Sequence, residues 1–109
     1  DSLLAILRSI KDSHEYVESI YLYTYGAARY FSSDKGIHTI DESTDSSWLD
    51  VYREIAKDSS SYIAPREISL GADQVVPVLS IYKRLLLQKG CIVVNIDVAK
   101  LEEILENSL

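Results

Sequence analysis

Apolar residues recur at two different spacings, and the spacing switches several times along the chain. From residue 3 to 17, Leu3, Leu7, Ile10, His14 and Val17 are separated by four, three, four and three positions, with Leu4 and Ile6 beside them. This places one apolar stripe on a helical face, with Arg8, Lys11, Asp12 and Glu15 mostly off it. The spacing averages about 3.5 residues, which also suits a helix that pairs with a second copy of itself. His14 falls on the stripe and reads as a boundary residue rather than a metal ligand.

Residues 19 to 25 alternate instead: Tyr21, Tyr23 and Tyr25 point one way, Ile20 and Leu22 the other. Period two with aromatic and β-branched residues predicts a strand. Gly26 breaks it, residues 28 to 33 predict a second strand, and the turn at 33 to 36 ends the hairpin. After an acidic, polar loop at 41 to 47, residues 48 to 58 return to helical spacing, with Trp48, Tyr52 and Ile55 on one face and Val51 beside them. Ser46 or Ser47 is placed to cap this helix, which ends near Asp58, before the serines at 59 to 61.

The remainder is mostly strand. Residues 62 to 68 contain Pro65, which suits an edge strand. A turn at 71 to 73 leads to a long strand at 75 to 86, and a further turn at 88 to 90 closes another hairpin. Residues 91 to 97 are apolar on both sides, with Ile92, Val94 and Ile96 on one and Cys91 and Val93 on the other. Such a strand belongs at the centre of a sheet covered on both faces. Asp97 suits the N-cap of a final helix whose stripe is Val98, Leu101, Ile104 and Leu105. The expected class is α+β: a five-stranded antiparallel sheet with an N-terminal helix, a helix between strands 2 and 3, and a C-terminal helix.

Composition narrows the function classes. The 109 residues are 47% apolar and 26% charged, which fits one globular domain spanning 1 to 109. The formal charge of −6 argues against a nucleic-acid surface and against an anionic membrane surface. The lone Cys91 lies in an apolar run and reads as a buried, inert thiol. No apolar run reaches the roughly 20 residues of a membrane span. The chain does not start with methionine and is expected to be a piece of a longer protein.

Three stretches, in this order and spacing, resemble the extracytoplasmic Cache sensor domains, which have a PAS-like fold. Ser32-Ser33-Asp34-Lys35-Gly36 is similar to that family's turn after its second strand. Asp45-Ser46-Ser47-Trp48-Leu49 is similar to its D-x-x-W helix start. Gly90 to Asp97, followed by Leu101, resembles its final strand, a glycine-led apolar run that ends in I-D and enters a helix. The nearest likeness is to the sensor regions of Gram-positive membrane sensor histidine kinases and membrane-bound AraC-type regulators. The resemblance implies an extracellular receptor domain, anchored in the cell membrane by flanking segments. It would bind a small polar solute on one side of the sheet, without a cofactor, and signal through its terminal helices. Two departures weigh against amino-acid recognition: Leu49 stands where an aromatic is usual, and no arginine immediately precedes Trp48.

Signals for catalysis are thin. His14 and His38 have no metal-ligand spacing, no glycine-rich phosphate loop is present, and no serine sits in a nucleophile motif. Binding signals are better. Eight tyrosines is a high count, and tyrosine suits a pocket wall. The candidate ligand-binding residues are Trp48, Tyr52, Tyr62, Arg66, Tyr82 and Arg84, since an arginine among aromatics on a sheet face suits a carboxylate or a sugar. Asp97 is the candidate signal relay. The rival readings are a cytoplasmic PAS-like module that dimerises through the 3-to-17 helix without a ligand, and a small serine hydrolase.

Overall fold

The computed structural model describes residues 2–55 and 60–109. Helix α1 (Ser2–Asp12) precedes strands β1 (Val17–Thr24), β2 (Arg29–Ser32) and β3 (Gly36–Thr39). A single 3₁₀ turn (Ile40–Glu42) leads to α2 (Ser47–Glu54), and β4 (Ser61–Gly71), β5 (Gln74–Arg84), β6 (Gly90–Asp97) and α3 (Val98–Ser108) follow. The six strands form one sheet in the order β3-β2-β1-β6-β5-β4, with every neighbouring pair antiparallel.

The last strand, β6, lies inside the sheet between β1 and β5, and its two faces serve two separate cores. Cys91 and Val93 join Tyr21, Tyr23, Tyr30, Trp48, Leu49, Tyr52 and Tyr82 under α2. Ile96, with Ile92 and Val94 at its margin, joins Leu7, Val17 and Ile20 under α1, and Leu101 of α3 packs there too. A strand covered on both sides has no polar face to show, which is why its sequence does not alternate. Pro65 sits in β4, an edge strand, where its missing N–H breaks no interior ladder.

The structure corrects the sequence in three places. The sheet has six strands rather than five. The added strand, β3, arises because Gly36 adopts φ 74° and turns the chain back, pairing Arg29 with Thr39 and Ser32 with Gly36. A four-residue return strand is too short to announce itself by periodicity. The first helix ends at Asp12 rather than at 17. Val17 instead opens β1, yet it is buried in the same cluster as Leu7, so the helical stripe and the strand feed one core and their spacings run together. The second helix ends at Glu54, with Ile55 already extended; the expected end at Asp58 lies outside the described residues.

One irregularity matters for the site. Val17 pairs with Ile96, and Ser19 pairs with Asn95, so Glu18 is an extra residue in β1. This β-bulge moves Val17 to the face of Ile20, under α1, while Ser19 and Tyr21 stay on the α2 face.

Candidate functional site

Beneath the start of α2, the sheet carries a buried polar network centred on Arg66. Strand β4 alternates, with Ala64, Arg66 and Ile68 inward, and Arg66 is 8% exposed. Its Nη1 donates to Asp45 Oδ1 at 2.7 Å and to Ser47 Oγ at 2.9 Å. Its Nη2 donates to Asp45 Oδ2 at 3.1 Å and to Asn95 Oδ1 at 2.9 Å, and its Nε donates to Ser80 Oγ at 2.8 Å. Ser80 then donates to Asn95 Oδ1, and Asn95 Nδ2 donates to Ser19 Oγ. Ser19, Asn95 and Ser80 are cross-strand neighbours, so three adjoining strands contribute one polar row. Burial pulls the Arg66 pKa down, but the hydrogen bonds and charge of Asp45 outweigh it and raise the value overall.

Asp45 joins this network to an aromatic cluster. Its Oδ2 accepts from the Tyr21 hydroxyl at 2.6 Å, and its carbonyl accepts from Trp48 Nε1 at 2.9 Å and from Ser43 Oγ at 2.7 Å. Burial, then the charge of Asp45 and the bond to it, push the Tyr21 phenol well above its usual pKa, so it stays a donor. Tyr30 and Tyr21 meet edge to face with centroids 5.2 Å apart, and Tyr30 lies 4.9 Å from Trp48. The aspartate and the tryptophan three residues later are thus tied together at the helix start, Asp45 by its side chain to the sheet and Trp48 by its indole to the Asp45 carbonyl.

A cleft of about 220 Å³ opens beside this network. Its wall includes Glu18, Ser19, Tyr21, Tyr30, Asp45 and Lys35, with the end of β4 closing the far side. The volume equals that of roughly seven water molecules, below the roughly 300 Å³ at which drug-sized ligands begin to fit. Glu18 Oε2 is buried and has no hydrogen-bond partner among the described residues. Among the described residues, no group of three or more His, Cys, Asp and Glu side chains is arranged to hold a metal ion.

The residues singled out from the sequence are dispersed. Trp48, Tyr52 and Tyr82 lie together in the core under α2, at 1%, 6% and 1% exposure, and the Tyr82 hydroxyl donates to the Trp48 carbonyl at 3.0 Å. Arg66 is buried and fully engaged. Arg84 donates to the Ile55 carbonyl at 3.0 Å and sits 5.7 Å from the Tyr52 ring centre. Tyr62 is exposed on the edge strand. None of these six side chains lines the cleft. Asp97 does cap α3, accepting from the Lys100 N–H at 3.1 Å. Ser46 holds the corresponding position of α2 without a side-chain bond, while Ser47 accepts from Arg66 instead. Cys91 is fully buried, and burial pushes its thiol up to about 12.

Sequence reading missed Glu18, Ser19, Ser80 and Asn95. One signal was present: an arginine at an inward position between Ala64 and Ile68 demands a buried carboxylate and acceptors around it. No helix among the described residues is long and apolar enough to cross a membrane. Compared with protein-family models, curated proteins and solved structures, the chain finds no match.

Proposed function

We propose that this chain is an extracellular, PAS-like, ligand-sensing domain of a membrane signal-transduction protein, either a two-component sensor kinase or an AraC-type regulator. It binds a small polar solute in the cleft beside Glu18 and relays occupancy through its terminal helices, with no catalytic step. The observation that carries this reading is where the cleft lies. Glu18 bulges from β1 next to the pair Val17–Ile96, and the next residue on β6, Asp97, caps α3. The Asp97 N–H also donates to the Tyr16 carbonyl at 2.8 Å, which ties the entry to β1 to the exit of β6. A solute at the bulge therefore presses on the point where the sheet hands over to the exit helix. The interior place of the last strand, beside β1 and β5, supports this reading because a shift of the sheet would carry directly into α3.

The test is a thermal-shift screen with small polar metabolites. A ligand at a hundred times its dissociation constant adds about 2.7 kcal/mol, which raises the Tm of a domain this size by roughly 10 °C or more. Filling the cleft from its exposed rim with Ser69→Trp should abolish the shift. A broad screen that moves nothing, or shifts that survive Ser69→Trp, would refute the sensor reading.

A second reading rests on α1. Ile6 and Ile10 are 55% and 46% exposed, although Leu7 beside them is buried. Those isoleucines suit a dimerisation module that pairs through α1 and needs no ligand. Sedimentation of the wild type against Ile6→Glu/Ile10→Glu decides it: a dimer that the substitutions dissociate supports pairing, and a wild-type monomer removes it.

A further inference from the structure

We infer that the cleft selects an organic ammonium ion, with Glu18 as its counter-ion. This deepens the sensor reading and rests on it. The first support is the bulge. An ordinary strand would not place Glu18 where it is; the extra residue re-aims its carboxylate out of the pleat and into the wall beside Ser19 and Tyr21. The second is the unmet Oε2, which is buried in the wall rather than open to the cleft. A carboxylate oxygen left there without a donor is costly, so turning the Glu18 side chain toward a ligand N–H relieves a penalty that the empty cleft carries. The third is the charge left over in the wall. Asp45 is neutralised by Arg66, and Asp34 is paired with Lys11. Glu18 is in neither pair.

The same accounting disfavours an anion. Arg66, the side chain best suited to a carboxylate, spends its guanidinium on Asp45, Ser47, Ser80 and Asn95. Arg84 donates away from the cleft, to Ile55. Lys35 and His38 line the cleft as well, but Lys35 is exposed to solvent and His38 is half-buried against the Tyr30 ring, with centroids 5.8 Å apart. A bare metal ion is disfavoured as well, because calcium takes six to eight oxygen ligands and no such group is assembled among the described residues. Ile68 and the exposed Leu70 give the wall an apolar side, whereas the hydroxyls of Ser19 and Ser43 are already engaged by Asn95, Tyr30 and the Asp45 carbonyl. The wall thus fits a small solute with a cationic head and a short aliphatic body. Burial holds Glu18 toward its neutral form when no cation is present. Ser19 and Lys11 oppose that shift, and the charges of Asp34 and Asp45 add to it.

Three size-matched probes test this on the 109-residue domain by calorimetry and amide chemical shifts: 4-amino-1-butanol, 1,4-butanediol and 4-hydroxybutanoate. The amine should bind saturably, at least tenfold tighter than the diol or the acid, and should move the amides of residues 17 to 21. Glu18→Gln should weaken the amine at least tenfold, about 1.4 kcal/mol, and leave the diol unchanged. Glu18→Asp, which keeps the charge, should lose less than Glu18→Gln. Equal or tighter binding of the acid or the diol at the cleft overturns the ammonium assignment and leaves the sensor reading standing. Unchanged amine affinity in Glu18→Gln overturns Glu18 as counter-ion. No perturbation by any probe overturns the assignment too, and the metabolite screen then judges the sensor reading separately.

Discussion

Replacing Arg66 with methionine keeps the bulk of the side chain and removes its charge. In the folded protein that deletes five hydrogen bonds, to Asp45 twice and to Ser47, Ser80 and Asn95 once each. It also leaves the Asp45 carboxylate, 7% exposed, with only the Tyr21 hydroxyl, among the described residues, against its charge. Breaking a buried pair by removing one partner costs about 3–5 kcal/mol, mostly because the other charge is stranded. A domain of this length has about 5–15 kcal/mol in total, so Arg66→Met should remove a large share of its stability. Asp45→Asn should cost a similar amount by stranding the guanidinium. The double variant removes both charges and should cost at least about 2 kcal/mol less than the two singles added together. Urea unfolding followed by the fluorescence of Trp48, the sole tryptophan, and by far-ultraviolet circular dichroism measures all four proteins. With a slope of about 2 kcal/mol per molar, each single variant should lose about 1.5–2.5 M from its midpoint. A loss under about 1 kcal/mol in Arg66→Met, or strict additivity in the double variant, would refute the claim that this pair is desolvated and coupled.

Three further outcomes follow from particular residues. Because burial raises the Glu18 pKa above its ordinary value of 4.5, the folded chain binds more protons than the unfolded one between those two values; stability should therefore fall as pH rises through that window, and Glu18→Gln should flatten the curve. An identical slope in the two proteins, measured by urea unfolding from pH 4 to 8, would contradict this. Gly90 has φ +145°, and an added Cβ would lie 2.1 Å from the Tyr23 carbonyl oxygen, so Gly90→Ala should lose more than the roughly 1–3 kcal/mol of backbone strain alone; a Tm within a degree of wild type would show that the hairpin shifts freely. Asp97→Ala removes the bond to the Lys100 N–H and should cost about 1 kcal/mol as a lost cap. On the proposed sensor reading, the same substitution in the full-length protein should weaken signalling beyond that loss, and normal output would take Asp97 out of the proposed relay.

Much of the architecture was legible because it is local. Alternation at 19 to 25, the unbroken apolar run at 91 to 97 and the aspartate that ends it each report which faces a segment buries, and burial follows from periodicity alone. The α+β class, the antiparallel sheet, the interior place of β6 and the cap at Asp97 all follow from those signals. The short strand β3 was not legible, since four residues hold too few periods, and Val17 was misassigned because a helix and a strand feeding one core share a stripe. The site was hidden for a different reason. Glu18, Asp45, Arg66, Ser80 and Asn95 are ordinary polar residues on four strands and a loop, up to 76 positions apart in the linked pair Ser19–Asn95. Arg66 is marked by its inward place between Ala64 and Ile68 and Asp45 by the tryptophan three residues on, but nothing in their neighbours marks Glu18, Ser80 or Asn95. Sheet pairing brings them to one face, and a single extra residue in β1 sets which way Glu18 turns. A strand's own periodicity tells which side chains go inward, but register and bulges between distant strands decide which inward side chains meet, and that information exists only once the chain has folded.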